Sequence, residues 1–229
     1  MVRMEKLQRL LSLNPLAFVY YNFFCRNIIR DKGKYIFPNW GSRIELNRTA
    51  KIYLHAHMML NVNKYPYSNA ECYLRLRRGA EMKVNGKVSM FYGGTIEVHN
   101  NAKLNIGSCS VQTGTVIICA YLMTIGQGCL ISRMAYISDS DHHRVFDDEG
   151  NITNWPKETI IGDNVWIGVK ATVMKGAKIK SGSAIGANTV VGGRVKEHTF
   201  IMEEPPREFG KINWSTEGFP EGKNSDDRQ

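Results

Sequence analysis

No stretch of this chain approaches the ~18 unbroken apolar residues that a membrane-crossing helix needs, so no span is expected. A secretory leader is not expected either. The apolar run from Leu16 to Cys25 follows Pro15, is broken by Asn22, and lacks a small-residue cleavage site. Cysteine is sparse and unpaired in pattern: Cys25, Cys72, Cys109, Cys119 and Cys129 form no CxxC and are odd in number. They read as small buried thiols in a reducing, cytoplasmic compartment. No helix–turn–helix, zinc-finger or RNA-binding aromatic motif accompanies the net charge of +9. Nucleic acid is therefore not an expected partner, and the basic balance suits a phosphorylated small ligand.

What the chain does contain is a six-residue repeat. From Ile161 it runs IGDNVW, IGVKAT, VMKGAK, IKSGSA, IGANTV, VGGRVK. The first position is always Ile or Val (Ile161, Ile167, Val173, Ile179, Ile185, Val191). The fifth is small or branched (Val165, Ala171, Ala177, Ser183, Thr189, Val195). Gly fills the second at Gly162, Gly168, Gly186 and Gly192. A period of six fits neither a packed helix nor a simple strand. It fits a solenoid with three flat sides per coil: aliphatic first residues stack inside, fifth residues sit near a corner, and Gly suits a bend. The predicted fold is an all-β parallel β-helix. Upstream, Cys119, Ile125, Ile131 and Ile137 keep the step, with Met123, Cys129, Ala135 and Asp141 at fifth positions. A looser pattern reaches back to about Ile44.

Three segments are expected: a helical N-terminal cap over 1–40, the β-helix over 41–202 with an inserted loop at 138–159, and a tail at 203–229. An unclosed solenoid end exposes its core, so capping is the first role for Leu7, Leu10, Leu11, Phe18, Tyr21 and Phe24. Weak peripheral contact with an anionic membrane is the alternative. The inserted loop gathers His142 and His143 with Asp139, Asp141, Asp147, Asp148 and Glu149. A loop leaving a rigid scaffold is a usual place for function. Histidine beside a carboxylate is a usual general base near neutral pH. His55, His57, His99 and His198 read as surface or packing residues.

With SDSDHHRVFD (138–147) and TIIGDNVWIGVKATVMKGAKIKSGSAIGANTVVGG (159–193) together, the chain resembles the hexapeptide-repeat acyltransferases. Its greatest likeness is to the sugar and capsular-polysaccharide O-acetyltransferases. The resemblance implies a left-handed coil, where connection physics alone favours the right hand. It also implies acetyl-CoA as co-substrate, no metal, and a homotrimer with active sites between subunits. His143 matches the family's base, and His142 stands where the relatives carry Gly. Asp139 or Asp141 would orient the imidazole. Trp166 would lie beside the acyl-carrying arm of coenzyme A, and backbone near Val169 and Ala187 would line its groove. An amide near Gly168 would hold the oxyanion. Gly192, Gly193 and Arg194 stand where many relatives have Thr–Lys–Asp. Arg194 and Arg207 would meet phosphates, with Glu203 and Glu204 as unfavourable neighbours.

The acceptor, a small-molecule or glycan hydroxyl, would meet Tyr92, Tyr121, Arg133 and Trp155. N-acetyl transfer to an amino or nucleotide sugar, and an inactive β-helix scaffold, are the competing functions. A carbonic-anhydrase-like metal site lacks the family's His–x4–His spacing.

Overall fold

The six-residue period is realised as three parallel sheets that wrap one core. The computed structural model describes residues 12–65 and 67–203. The first sheet stacks eight strands, from Ile28–Arg30 to Arg194–Val195, and the second eight, from Ile36–Pro38 to Phe200–Ile201. The third stacks seven, from Ser42–Leu46 to Val190–Val191. Successive strands in the chain go to successive sheets and return, which is a left-handed parallel β-helix. Ile160 pairs with Lys178 and Trp166 with Ala184, a step of eighteen residues, or three sides of six.

Every first-position residue from Ile161 to Val191 is buried, and so is every fifth-position residue from Val165 to Thr189. Aliphatic side chains therefore stack in columns inside the prism, where burial of each contributes about 1.5–3 kcal/mol.

Four details differ from the sequence reading. The coils begin at Ile28 rather than near Ile44. Met82 pairs with Leu104, a step of twenty-two, so the early sides are longer, strictly alternating strands that hide the hexapeptide period. Second, none of the second-position glycines has positive φ. They are small because the next coil is close: a Cβ on Gly168 would lie 2.6 Å from the Ile185 carbonyl oxygen. The left-handed residue is the fourth of the repeat, at Asn164, Lys170, Gly176, Gly182 and Asn188.

Third, the repeat slips at Gly192–Gly193. Val195 pairs with Ile179, a step of sixteen, so it occupies a first position and not a fifth. Gly193 takes the place of the fifth residue, its carbonyl accepting from Lys178 N–H (2.9 Å). Two glycines thus close a corner two residues short. Fourth, Asp141 is exposed, because the chain has left the coil before reaching it.

At the N-terminal end, Asn14 caps a short helix, Pro15–Val19, by accepting from Ala17 N–H (3.1 Å), and a π-turn, Tyr20–Phe24, continues it. Asn22 is buried and acts as a surrogate strand edge. Its amide donates to the Ile36 carbonyl (2.8 Å) and its oxygen accepts from Ile36 N–H (2.9 Å). Tyr21 Oη donates to the Ile44 carbonyl (3.0 Å). Leu7, Leu10 and Leu11 lie outside the described residues. Replacing Asn22 with Leu leaves both polar groups of Ile36 without these partners. It is expected to destabilise the fold by about 2–4 kcal/mol. A urea titration followed by circular dichroism reads this, and an unchanged midpoint would refute the capping role.

Candidate functional site

The chain leaves the coils at the end of the strand Tyr136–Ser138 and re-enters at Thr159–Ile161. Asp139 holds the exit. Its carboxylate is fully buried and accepts from Ala120 N–H (2.6 Å), Tyr121 N–H (2.9 Å) and the Cys119 thiol (3.5 Å). Its own carbonyl accepts from Lys157 N–H (2.9 Å) at the re-entry. The Ala120 and Tyr121 amides sit where the following coil has left the stack, and the carboxylate takes the place of the missing backbone. Between exit and re-entry, a Phe146–Ile152 antiparallel bridge folds the loop into a hairpin.

His143 opens into a cleft of about 220 Å³ that it lines with Ser140, His142, Asn154, Trp155 and Pro156. No partner for its imidazole is found among the described residues. Its backbone, in contrast, is held firmly. The Asn154 amide donates to the His143 carbonyl (2.7 Å) and to Asp141 (3.0 Å), while Asn154 Oδ1 accepts from Val145 N–H (2.7 Å). Lys175, on the next coil, pairs with Asp141 and donates to the Asn154 carbonyl (3.1 Å). The bond from Lys175, then that from Asn154, holds the Asp141 carboxyl below its ordinary range.

His142 has φ +65°, a left-handed conformation that favours Gly. Its imidazole bonds back to the last strand before the loop. Nε2 meets Tyr136 Oη (2.8 Å) and Ser138 Oγ (3.3 Å), and its ring lies 5.8 Å from that of His99. Small Ala120, at the same corner in the intervening coil, leaves room for this approach. Burial, then the Arg77 charge, lowers the His99 pKa, against an opposing pull from Glu97.

Neither aspartate bonds to an imidazole here. Asp139 belongs to the framework and Asp141 to the Lys175–Asn154 anchor. Four participants went unread in the sequence: Tyr136, His99, Asn154 and Lys175. They sit seven to forty-four residues from His143 in the chain, so no single local motif marks them.

The remaining expected residues separate by face. Trp155 lines the cleft, whereas Tyr121 is exposed at the coil beneath the loop exit, its N–H bonded to Asp139. Arg133 is exposed at the preceding corner, and Tyr92 packs on Tyr65 (5.6 Å), two coils before the loop. Trp166 is half-exposed on the second sheet, its indole donating to Ser132 Oγ (2.9 Å). Gly168, Val169 and Ala187 stack at the corner between the second and third sheets, where Asn188 N–H donates to the Val169 carbonyl (2.9 Å).

Gly192, Gly193 and Arg194 lie at the corner between the third and first sheets, the corner the loop leaves from. Arg194 is exposed beside Lys178. Glu203 is tied back to the last coil by accepting from Val190 N–H (3.2 Å). Arg207 and Glu204 lie outside the described residues. A larger cavity of about 700 Å³, on the outer side of the second sheet near Phe37, Met59 and Phe91, includes none of the expected site residues.

Three of the buried thiols are poor nucleophiles. Burial pushes Cys72 up to about 11, and Cys109 and Cys119 higher still. No group of three metal-ligating side chains occurs among the described residues.

Residues 158–193 match the family described as bacterial transferase hexapeptide (six repeats). Over these residues the chain is similar to the hexapeptide-repeat transferases. It is similar to the putative lipopolysaccharide biosynthesis O-acetyl transferase WbbJ of Escherichia coli (strain K12), with 33% identity over 41% of this chain and 53% of the relative. Galactoside O-acetyltransferase of the same strain is 28% identical over 59% of this chain and 63% of its own. Among solved structures, the polysialic acid O-acetyltransferase OatWY aligns at 19% identity over 88% of this chain and 95% of its own, with a TM-score of 0.46. The chain spans about half or less of the length of the first curated relatives it matches.

The Lys175–Asp141 pair makes a pH prediction. A depressed carboxyl contributes stability that is present above the ordinary value of about 3.9 and is lost as pH falls through the depressed one. Loop anchoring is thus insensitive to pH near neutrality and fails in acid. Lys175→Met is expected to raise the Asp141 titration midpoint toward the ordinary range and to speed amide exchange over 141–154. Carboxyl-detected NMR titration reads the first effect, and an unmoved midpoint would overturn the assignment.

Proposed function

We propose that this protein transfers an acetyl group from acetyl-CoA to a hydroxyl of a sugar or surface polysaccharide precursor. The observation that carries the reading is His143: an imidazole without a bonded partner among the described residues, presented into a cleft by a backbone whose carbonyl accepts from Asn154 and whose N–H donates to the Asp141 carbonyl. The family supplies the reaction class. In this scheme His143 takes the proton from the acceptor hydroxyl as its oxygen bonds to the thioester carbonyl carbon. The tetrahedral oxyanion is stabilised by a backbone amide near Gly168. The C–S bond then breaks, and the imidazolium returns the proton to the departing thiolate. The products are an acetyl ester and free coenzyme A. Raised thiol pKa values support direct transfer without an acyl-cysteine.

Trp166, Val169 and Ala187, with Gly168, are the residues proposed for the acyl-carrying arm, and Arg194 for a phosphate. Within one chain they stand on other faces than His143. A homotrimer in which a neighbour supplies the second half is therefore part of the proposal. Trp155, which lines the cleft, is the best placed of the expected acceptor contacts.

His143→Gln is expected to reduce acetyl transfer by about 10²–10⁴-fold, measured as thiol release from acetyl-CoA across a panel of sugar acceptors. His142→Gly, which relieves the left-handed backbone, should retain activity within about tenfold. The opposite ranking would make His142 the base, and full activity in both variants would remove the general-base scheme.

A further inference from the structure

The N-terminal helical segment carries two faces, and only one is used. Phe18, Tyr21 and Asn22 point at the first coil. Phe18 packs on Tyr35 (5.8 Å) and Phe37 (5.5 Å), while Tyr21 and Asn22 bond to coil backbone. That face closes the solenoid end. The opposite face presents Leu16, Tyr20 and Phe24 at helical spacing, with Val19 beside them and Ile29 just beyond. Leu16 is 80% exposed and Phe24 70%. Capping does not need these side chains, and isolated exposed apolar residues are ordinary only when they are scattered.

The charge around this stripe has one sign. From residue 12 to residue 44 the basic residues are Arg26, Arg30, Lys32, Lys34 and Arg43, and the one acid is Asp31. Arg43 is paired with Glu71 and Arg30 lies over the Phe23 and Tyr35 rings, which leaves Arg26, Lys32 and Lys34 for the rim. Asp31 is engaged by His55 (3.1 Å). Arg26 and Lys32 are exposed. An apolar and aromatic stripe rimmed by cations matches the boundary of an anionic bilayer, where the rings enter the headgroup layer and the cations meet lipid phosphates. A second copy of the same face would bring two sets of cations together, so self-pairing is disfavoured by charge. No helix among the described residues is long and apolar enough to cross a membrane, which makes the contact peripheral.

We propose that this face docks the protein on an anionic lipid surface. The proposal is independent of the acyl-transfer reading. The test uses the full chain and sedimentation with vesicles of phosphatidylcholine alone or of equimolar phosphatidylcholine and phosphatidylglycerol. Wild type is expected to sediment with the anionic vesicles, to stay in solution with the neutral ones, and to be released by salt. Leu16→Glu/Phe24→Glu is expected to weaken vesicle binding by roughly tenfold or more, with the same circular dichroism spectrum and unchanged activity on a soluble acceptor. Should that variant misfold, the surface pair Arg26→Glu/Lys32→Glu must show the same loss.

Wild type that ignores anionic vesicles would overturn the proposal. So would variants that bind as well as wild type. An assembly that the apolar variant breaks apart, with no vesicle binding by wild type, would instead identify the face as a self-association surface.

Discussion

One spacing governs this molecule: neighbouring coils are held about 4.8 Å apart by strand hydrogen bonds. At the corner between the first and second sheets, that spacing leaves no room for a side chain on the rising backbone. Gly86, Gly107, Gly126 and Gly162 form a column there. A Cβ on any of them would come within 2.7 Å of the next coil. The same spacing brings every inward aliphatic residue into contact with its equivalents above and below, so the core needs no long-range chain folding to assemble. It also explains why a departure from the coil must be managed. When the chain leaves the stack, two amides of the coil beneath lose their partners.

Asp139 is the solution at that departure. A buried carboxylate is costly unless donors surround it, and Asp139 meets two backbone N–H groups and a thiol. The sequence places it beside two histidines, which invites a catalytic reading. Its side chain instead follows the inward side of the coil and supports the loop from below. Asp141, one residue past the departure on the same face of the sequence pattern, is outside the coil and free to meet Lys175. Both aspartates share one parity along the strand, and the point where the chain leaves the coil decides which of them faces inward.

Legibility follows the same logic. Residues 161–191 could be read directly because each side is six residues and each corner has the same left-handed fourth residue. The early coils resisted because sides such as Cys72–Leu76 are longer and show only alternation. At Gly192–Gly193 the six-residue frame continues on paper while the chain skips two residues in space, so Val195 was placed in the wrong column. In the site, the histidine loop was visible as an interruption. Its supports were not, because Lys175 looks like any outward residue of a repeat and Asn154 like any loop residue. Contacts between successive coils are separated in sequence by whatever the loop inserts, and no motif window spans that gap.

The division of the expected site between faces has a symmetry consequence. His143 projects from the corner between the third and first sheets, whereas Trp166 stands on the second sheet and Val169 at the corner after it. On the acyl-transfer reading, donor and base must meet within bonding distance of one carbonyl. A two-fold dimer could join the two faces only by burying both on each chain, residue i meeting j and j meeting i. A closed ring places one face of each chain against a different face of the next. With a prism of three sides, a three-membered ring lets each loop corner face a neighbour's second sheet while the solenoid axes stay parallel. The trimer in the proposal is then one closed arrangement that brings together two groups the fold puts on different faces.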